Sequence, residues 1–287
     1  MGIKGFLGIQ AHAKINWCLS VTGKAENGYH LLDMLMQRVS LYDTLYAAPG
    51  SGLTLRVIGQ TVEGAPEDNL VLRAARALQA FRTDACARLT LVKRIPQGAG
   101  LGGGSSDAAA ALKLLNRLWR LDLSDGALAE IALKLGADVP FFLSGKPARV
   151  QGIGECLTPA PLPAGIPLVL VKATPGLNTG SVYKHSDAMA PVSVDVPALL
   201  DRLRQRDLAA ASPLSGNALY PAAESLSPEL ANVKRAVEAS GALYTLMTGS
   251  GAVVYGAYSS GAQAAEAARV LRGEFPGAFV ACAATLS

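Results

Sequence analysis

Only four cysteines occur in 287 residues, Cys18, Cys86, Cys156 and Cys282, and they lie far apart with no C-x-x-C pair. That spacing argues against a zinc site and a compact disulfide framework, and it predicts reduced, buried thiols. Aromatic residues are scarce at 6% and charged ones at 17%, whereas hydrophobic residues reach 50%. Disorder needs the opposite balance, so the chain folds, and its length suits one large or two medium domains. No run of five basic residues appears among the 26 lysines and arginines. A nucleic-acid footprint is therefore missing, and the net charge of +4 is equally well explained by an anionic small molecule. The longest uncharged apolar stretch, Cys156 to Val171, carries four prolines and cannot be a spanning helix. The first residues, MGIKGFLGIQAHAKIN, have no continuous apolar core with a small-residue cleavage site, and Phe6 stands where a myristoylation signal has Ser or Thr. A cytoplasmic protein without membrane or nucleic-acid partners is expected.

Short β-rich runs alternate with longer helical ones, and no internal repeat is present. Leu53 to Ile58 and Arg88 to Val92 alternate like strands. Leu70 to Phe81 has helical spacing with Asp68 or Asn69 as its cap, and a second helix is predicted from about Ser106 to Trp119. Ser124 caps a third helix that Gly136 ends. Pro159 to Pro167 can hold neither a helix nor a central strand, which places a domain break near residue 158. Beyond it, Leu168 to Val171 and Val253 to Tyr258 read as strands. Val196 to Arg206, Glu229 to Ser240 and Ala262 to Arg272 read as helices.

The most informative stretch is Pro96 to Leu112, PQGAGLGGGSSDAAAAL, with glycines at 98, 100, 102, 103 and 104 and a single charge at Asp107. It follows a strand and leads into a helix, so free backbone N–H groups and a helix N-terminus converge as in a phosphate cradle. Ser105 and Ser106 add hydroxyls able to cap the helix, bind phosphate or meet a metal ion. A Walker A loop needs a lysine before its serine, and none is present here. Gly98, Gly100 and Gly103 do satisfy the dinucleotide fingerprint, with Asp122 at the distance of a ribose-binding acid. That oxidoreductase reading also requires a second parallel strand ending at Asp122, whereas Arg117 to Asp122 reads as the end of a helix.

The segment P-x-G-A-G-L-G-G-G-S-S resembles the second motif of the galactokinase, homoserine kinase, mevalonate kinase and phosphomevalonate kinase superfamily. Ala11 to Asn16 (AHAKIN) and Met247 to Ala252 (MTGSGA) resemble its first and third motifs, in the same order. Within it, Ala13 to Asp43, with its Gly28-Tyr29-His30, and Leu135 to Phe142 (LGADVPFF) resemble the kinases that phosphorylate a cytidine diphosphate conjugate of methylerythritol in the non-mevalonate isoprenoid pathway. The resemblance implies an α+β fold of two domains, an ATP-binding domain over 1–157 and an α/β sandwich domain over 158–287, with the active site in the cleft. It implies ATP and Mg2+, a small-molecule acceptor phosphorylated on its 2-hydroxyl, and a monomer or homodimer.

The same resemblance assigns the residues. ATP lies against Pro96, Gln97, Gly98, Ala99, Gly100, Leu101, Gly102, Gly103, Gly104, Ser105 and Ser106, with Asn69 and Lys93 toward the adenine. Asp138, the one charge in an apolar run before Pro140, is the general base, and a turn or capping aspartate is the competing explanation. Lys14, the one charge in a buried strand pattern, is expected to pair with Asp138 and favour the developing alkoxide. Asn16, on the same strand face, faces substrate hydroxyls or is a satisfied buried amide. Tyr29 and His30 supply a stacking ring and a base-reading group for cytosine, joined by Tyr183 and Thr179. His12 and His185 read as structural. Gly249, Ser250 and Gly251 are expected to pack on the phosphate loop, and the protein ligand of the metal stays open beyond Ser105 or Ser106. Ala218 and Ala252 depart from the superfamily pattern, neither at a residue assigned to chemistry. A nucleotide-binding sensor without turnover is the alternative.

Overall fold

The computed structural model describes residues 6–26, 28–60 and 64–287; Met1–Gly5, on which part of the leader argument rests, lie outside them. The chain opens with two long strands, β1 (Leu7–Lys24) and β2 (His30–Pro49), followed by β3 (Leu53–Gly59), α1 (Leu70–Gln79) and β4 (Ala87–Lys93). Next come α2 (Gly103–Leu118), α3 (Asp125–Leu135), α4 (Val139–Ser144), β5 (Ala148–Gly152) and β6 (Cys156–Pro159). The remainder runs β7 (Pro167–Lys172), α5 (Thr179–Ser186), α6 (Val196–Arg204), α7 (Leu208–Ala211), α8 (Tyr220–Leu226) and α9 (Glu229–Ala239), then β8 (Tyr244–Met247), β9 (Val254–Ala257), α10 (Gly261–Glu274) and β10 (Phe279–Ala284). Helix and strand in these proportions make an α+β protein.

Two compact units interleave along the chain. The first comprises Met1–Ala13, Leu41–Gln97 and Gly102–Gly145, the second Lys14–Ser40, Gly98–Leu101 and Lys146–Ser287. These units do not coincide with 1–157 and 158–287, because β1 and β2 each serve both. In the proline-rich segment Ala160 and Leu162 are buried, and the Ile166 amide donates to Thr285 Oγ1 at 3.0 Å, which ties the segment into the second unit.

In the first unit β4 pairs antiparallel with residues 44–49 of β2 and parallel with β3. Helices α1 and α2 pack on one another. Asn69 caps α1 by accepting from the Val71 amide at 2.9 Å, and the face carrying Val71, Ala74, Ala75 and Leu78 is buried. Ser124 caps α3 and Gly136 terminates it. Helix α2 starts at Gly103, three residues earlier than the sequence pattern indicates, so the last loop glycines form its first turn. The chain then turns at Arg120 and Asp122, both at positive φ, into α3. No strand ends at Asp122, which removes the dinucleotide-binding alternative.

In the second unit β2 pairs through 32–36 with β5, and β5 with β6, whose proline lies at that sheet's edge. A second sheet has the order β10-β7-β9-β8, all antiparallel, with α9 and α10 packed on it. Trp17, Tyr244 and Tyr255 meet edge to face or stacked in its core, and the Tyr244 hydroxyl donates to the Trp17 carbonyl. Of the cysteines only Cys18 is buried; Cys86 is half-buried and Cys156 and Cys282 are exposed, which corrects the expectation of four buried thiols. Exposed strand edges, not core positions, carry the last two. Among the described residues no helix is long and apolar enough to cross a membrane.

Gln37 joins the ends of the second unit. Its side chain accepts from Trp17 Nε1 at 2.8 Å and donates to the Pro163 and Leu286 carbonyls at 3.1 and 2.8 Å. Gln37→Leu strands the Trp17 donor and the Leu286 carbonyl, while the Pro163 carbonyl keeps Thr285 Oγ1 at 2.9 Å, and the unfolding free energy is expected to fall by about 2–4 kcal/mol. Urea denaturation monitored by tryptophan fluorescence measures this, and an unchanged midpoint contradicts it.

Candidate active site

The second unit holds the centre of the glycine-rich turn against the segment after β8. Gly100 sits at φ +70, and a Cβ there would stand 1.9 Å from the Thr248 carbonyl oxygen, so only glycine fits. Ala252 and Val253 donate their amides to the carbonyls of Gly98 and Ala99, both at 3.2 Å, and Thr248 Oγ1 donates to the Gly100 carbonyl at 3.2 Å. The expected packing of Gly249, Ser250 and Gly251 on the loop is therefore present. Ala99 and Leu101 are buried, so these side chains anchor the turn and any ligand contact they make comes from the backbone.

Lys14 and Asn16 enter the same place from β1. The Lys14 amide donates to the Leu101 carbonyl at 3.0 Å, and its buried ammonium donates to Asn16 Oδ1 at 2.5 Å. That oxygen also accepts from the Gly249 amide at 2.9 Å and from Thr248 Oγ1 at 3.2 Å, while Asn16 Nδ2 points at the Met34 sulfur. Asn16 is fully buried, and its side-chain oxygen joins Lys14 to the third motif. In the second unit the Lys14 ammonium thus meets an amide oxygen. Asn217 completes the arrangement by donating to the Met247 and Gly249 carbonyls at 2.7 and 2.8 Å.

In the first unit α2 begins at Gly102 in the left-handed region with no side chain capping it. Ser105 and Ser106 lie inside the first turn, so neither caps the helix, and a helix start leaves backbone N–H groups without intrahelical partners. Ser106 Oγ donates to the His12 carbonyl at 2.7 Å; Ser105 is half-buried. Beneath this turn lies a buried cluster. Lys93 Nζ donates to Asp43 Oδ2 at 2.5 Å and Asp107 Oδ2 at 2.7 Å, and Asp43 Oδ1 accepts the amides of Arg94 and Ile95 at 2.5 and 2.9 Å. Burial pushes the Asp107 carboxyl up to about 7, against the pull of the Lys93 ammonium, and the Asp43 charge pushes the same way. A Cβ on Gly103 would lie 3.2 Å from Lys93 Nζ, so the ammonium sits directly under the helix start. Lys93 thus joins the strand before the loop to the helix after it, and Asn69 is occupied as the cap of α1. Asp138 precedes α4, half-buried, and its carboxylate does not cap that helix.

Farther along the second unit, the His30 and Tyr183 rings meet with centroids 4.9 Å apart. Asp187 Oδ1 lies 2.7 Å from His30 Nε2, and Lys24 donates to Asp187 Oδ2 at 2.6 Å. Tyr29 is 64% exposed. Thr179 Oγ1 and Ser250 Oγ share a hydrogen bond at 2.9 Å, linking α5 to the third motif.

The family profile of the GHMP kinases N terminal domain matches residues 69–146, and that of the GHMP kinases C terminal matches 198–277. A 4-diphosphocytidyl-2-C-methyl-D-erythritol kinase from Paramagnetospirillum magneticum is 41% identical over 282 residues, covering 97% of this chain and 98% of its own. The chain belongs to this family of GHMP kinases. A relative of the same name from Cereibacter sphaeroides is 43% identical over 282 residues, with 94% and 96% of the two chains covered. A crystal structure of 4-(cytidine 5'-diphospho)-2C-methyl-D-erythritol kinase superposes with a TM-score of 0.83 at 35% identity, over 98% of this chain and 100% of its own. Mevalonate kinase from L. major, at 17% identity and TM-score 0.71 over 99% and 98% of the two chains, shares the fold.

Sequence reasoning on this small-molecule kinase missed Asp43, Asp187 and the buried use of Asp107. Two of these had a readable signal: Asp43 closes the β2 segment quoted for the family resemblance, and Asp107 is the lone charge of the loop. Asp187 had none. Gly100→Ala is expected to cut kinase turnover more than about tenfold and to lower the unfolding free energy by about 2–4 kcal/mol, because the new Cβ must displace Thr248. Steady-state rates and thermal unfolding check this, and wild-type values for both refute the close approach.

Proposed function

We propose that this GHMP kinase transfers the γ-phosphoryl group of ATP to the 2-hydroxyl of 4-diphosphocytidyl-2-C-methyl-D-erythritol, a step of the non-mevalonate route to isoprenoid precursors. The observation that carries the reading is the convergence of Lys14 and Asn16, the turn Gly98 to Leu101, and Thr248 to Gly251 in one hydrogen-bonded arrangement. Relatives at 41% and 43% identity along nearly the whole chain support the acceptor.

Phosphoryl transfer through a loose transition state asks the protein for positioning and charge balance more than for covalent chemistry. The loop backbone and the start of α2 receive the ATP phosphates, with Pro96, Gln97 and Gly98 to Gly104 as the wall. Asn69 and Lys93, each engaged in structure, border the adenine through backbone. Asp138 accepts the proton of the acceptor hydroxyl, and Lys14 offsets the charge that develops as the O–H bond breaks. Tyr29 and Tyr183 stack on the cytosine, His30 reads its edge, and Thr179 contacts the neighbouring phosphates or sugar.

Magnesium suits the donor set without a dedicated cage. Among the described residues no group of three or more His, Cys, Asp or Glu side chains could hold a metal ion. Mg2+ bound with ATP takes most of its ligands from phosphate oxygens and water and neutralises phosphate charge. The Ser105 hydroxyl, in the first turn of α2, would supply the protein oxygen.

The purified protein, given ATP and Mg2+, is expected to release ADP with the cytidylyl acceptor and not with mevalonate or homoserine. Turnover with another acceptor discards the cytidine pocket, and ATP binding without turnover on any acceptor makes the protein a sensor. Asp138→Asn is expected to reduce kcat by at least about 10²-fold while leaving ATP affinity within twofold. Full activity in that variant removes the base.

A further inference from the structure

Two segments distant in sequence meet around His30. Lys24 ends β1, His30 begins β2, and Asp187 follows α5, 157 residues from the histidine. Exposed ion pairs contribute little to stability, so stability alone does not account for a carboxylate that takes both partners. What the arrangement does fix is a tautomer. A carboxylate only accepts, so the proton of the neutral imidazole sits on Nε2, 2.7 Å from Asp187 Oδ1, and Nδ1 is left as the acceptor. Lys24 and then His30 hold the Asp187 carboxyl below its usual range, which keeps it an acceptor. The Tyr183 ring, tilted 30° to the imidazole at 4.9 Å, restrains the plane of that ring.

Cytosine carries an amino donor where uracil carries a carbonyl acceptor. A ring nitrogen with a lone pair accepts from the first and opposes the second. We infer that Asp187, steadied by Lys24, is a specificity-determining positioning residue that sets His30 to select a cytosine over a uracil nucleotide acceptor. This rests on the cytidine reading above, which it deepens. Asp187 acts through His30 and does not itself touch the base.

The test compares the cytidylyl acceptor with its uridylyl counterpart at pH 8.5 for the wild type, Asp187→Asn and Lys24→Gln. Long-range 1H–15N spectra, with His30→Gln for assignment, identify the imidazole tautomer in the acceptor-free protein. The wild type is expected to show the Nε2–H form and to prefer the cytidylyl acceptor at least tenfold. In Asp187→Asn, whose amide can donate or accept, KM for that acceptor rises about tenfold with kcat and KM for ATP within twofold, and the preference falls about tenfold. Lys24→Gln moves the same quantities in the same direction by less. An Nδ1–H wild type, or an Asp187→Asn variant as selective as the wild type, overturns the inference. A wild type inert toward both acceptors overturns the cytidine reading and the inference with it, and the tautomer spectra separate that failure from an error about Asp187.

Discussion

The buried amide of Asn16 is the interaction on which the arrangement of the first and third motifs in the second unit depends. One oxygen accepts from the Lys14 ammonium, the Gly249 amide and the Thr248 hydroxyl, which brings the first and third motifs to a single atom. Thr248 passes the constraint on to the Gly100 carbonyl, and the Leu101 carbonyl receives the Lys14 amide. A fully buried amide with its donors and acceptors paired is rigid, because any displacement leaves a polar group without a partner in a low-dielectric interior. The ammonium of Lys14 is thereby held beside the loop backbone before any substrate arrives.

The first unit solves a related problem with charge. Lys93 lies between Asp43 and Asp107, so two carboxylates share one ammonium in the interior. Such a cluster gives little net stability over apolar packing, but it is sharply directional. Asp43 also takes the amides of Arg94 and Ile95, fixing the chain as it leaves β4, and Asp107 belongs to the first turn of α2. Together the three residues set where the glycine-rich turn starts and where it ends. The glycines between can then expose their amides without being free to wander.

Much of this was readable without coordinates. Alternating apolar residues located β3 and β4, helical spacing with Asn69 and Ser124 as caps located α1 and α3, and Gly136 marked the end of α3. The three motifs were legible because close backbone packing restricts the residue type, as at Gly100, where the Thr248 carbonyl leaves no room for a Cβ. The interleaving of the two units was not legible. Proline content describes local backbone preference, whereas the division between units follows from β1 and β2, each long enough to serve both. Thiol burial failed likewise, since a cysteine's preference for the interior does not say whether its strand lies at an edge.

The sequence by itself determined the family, through a glycine-rich turn between a strand and a helix and two further motifs in the same order along the chain. Only the tertiary structure decided which polar groups satisfy one another. It gave the Lys14 ammonium an amide partner in Asn16, placed Lys93 between two buried carboxylates, and brought Asp187 to a histidine 157 residues away. Local pattern cannot reach those pairings. They are set by which strands and helices share an interior, where every buried donor and acceptor has to find its partner across the fold and not along the chain.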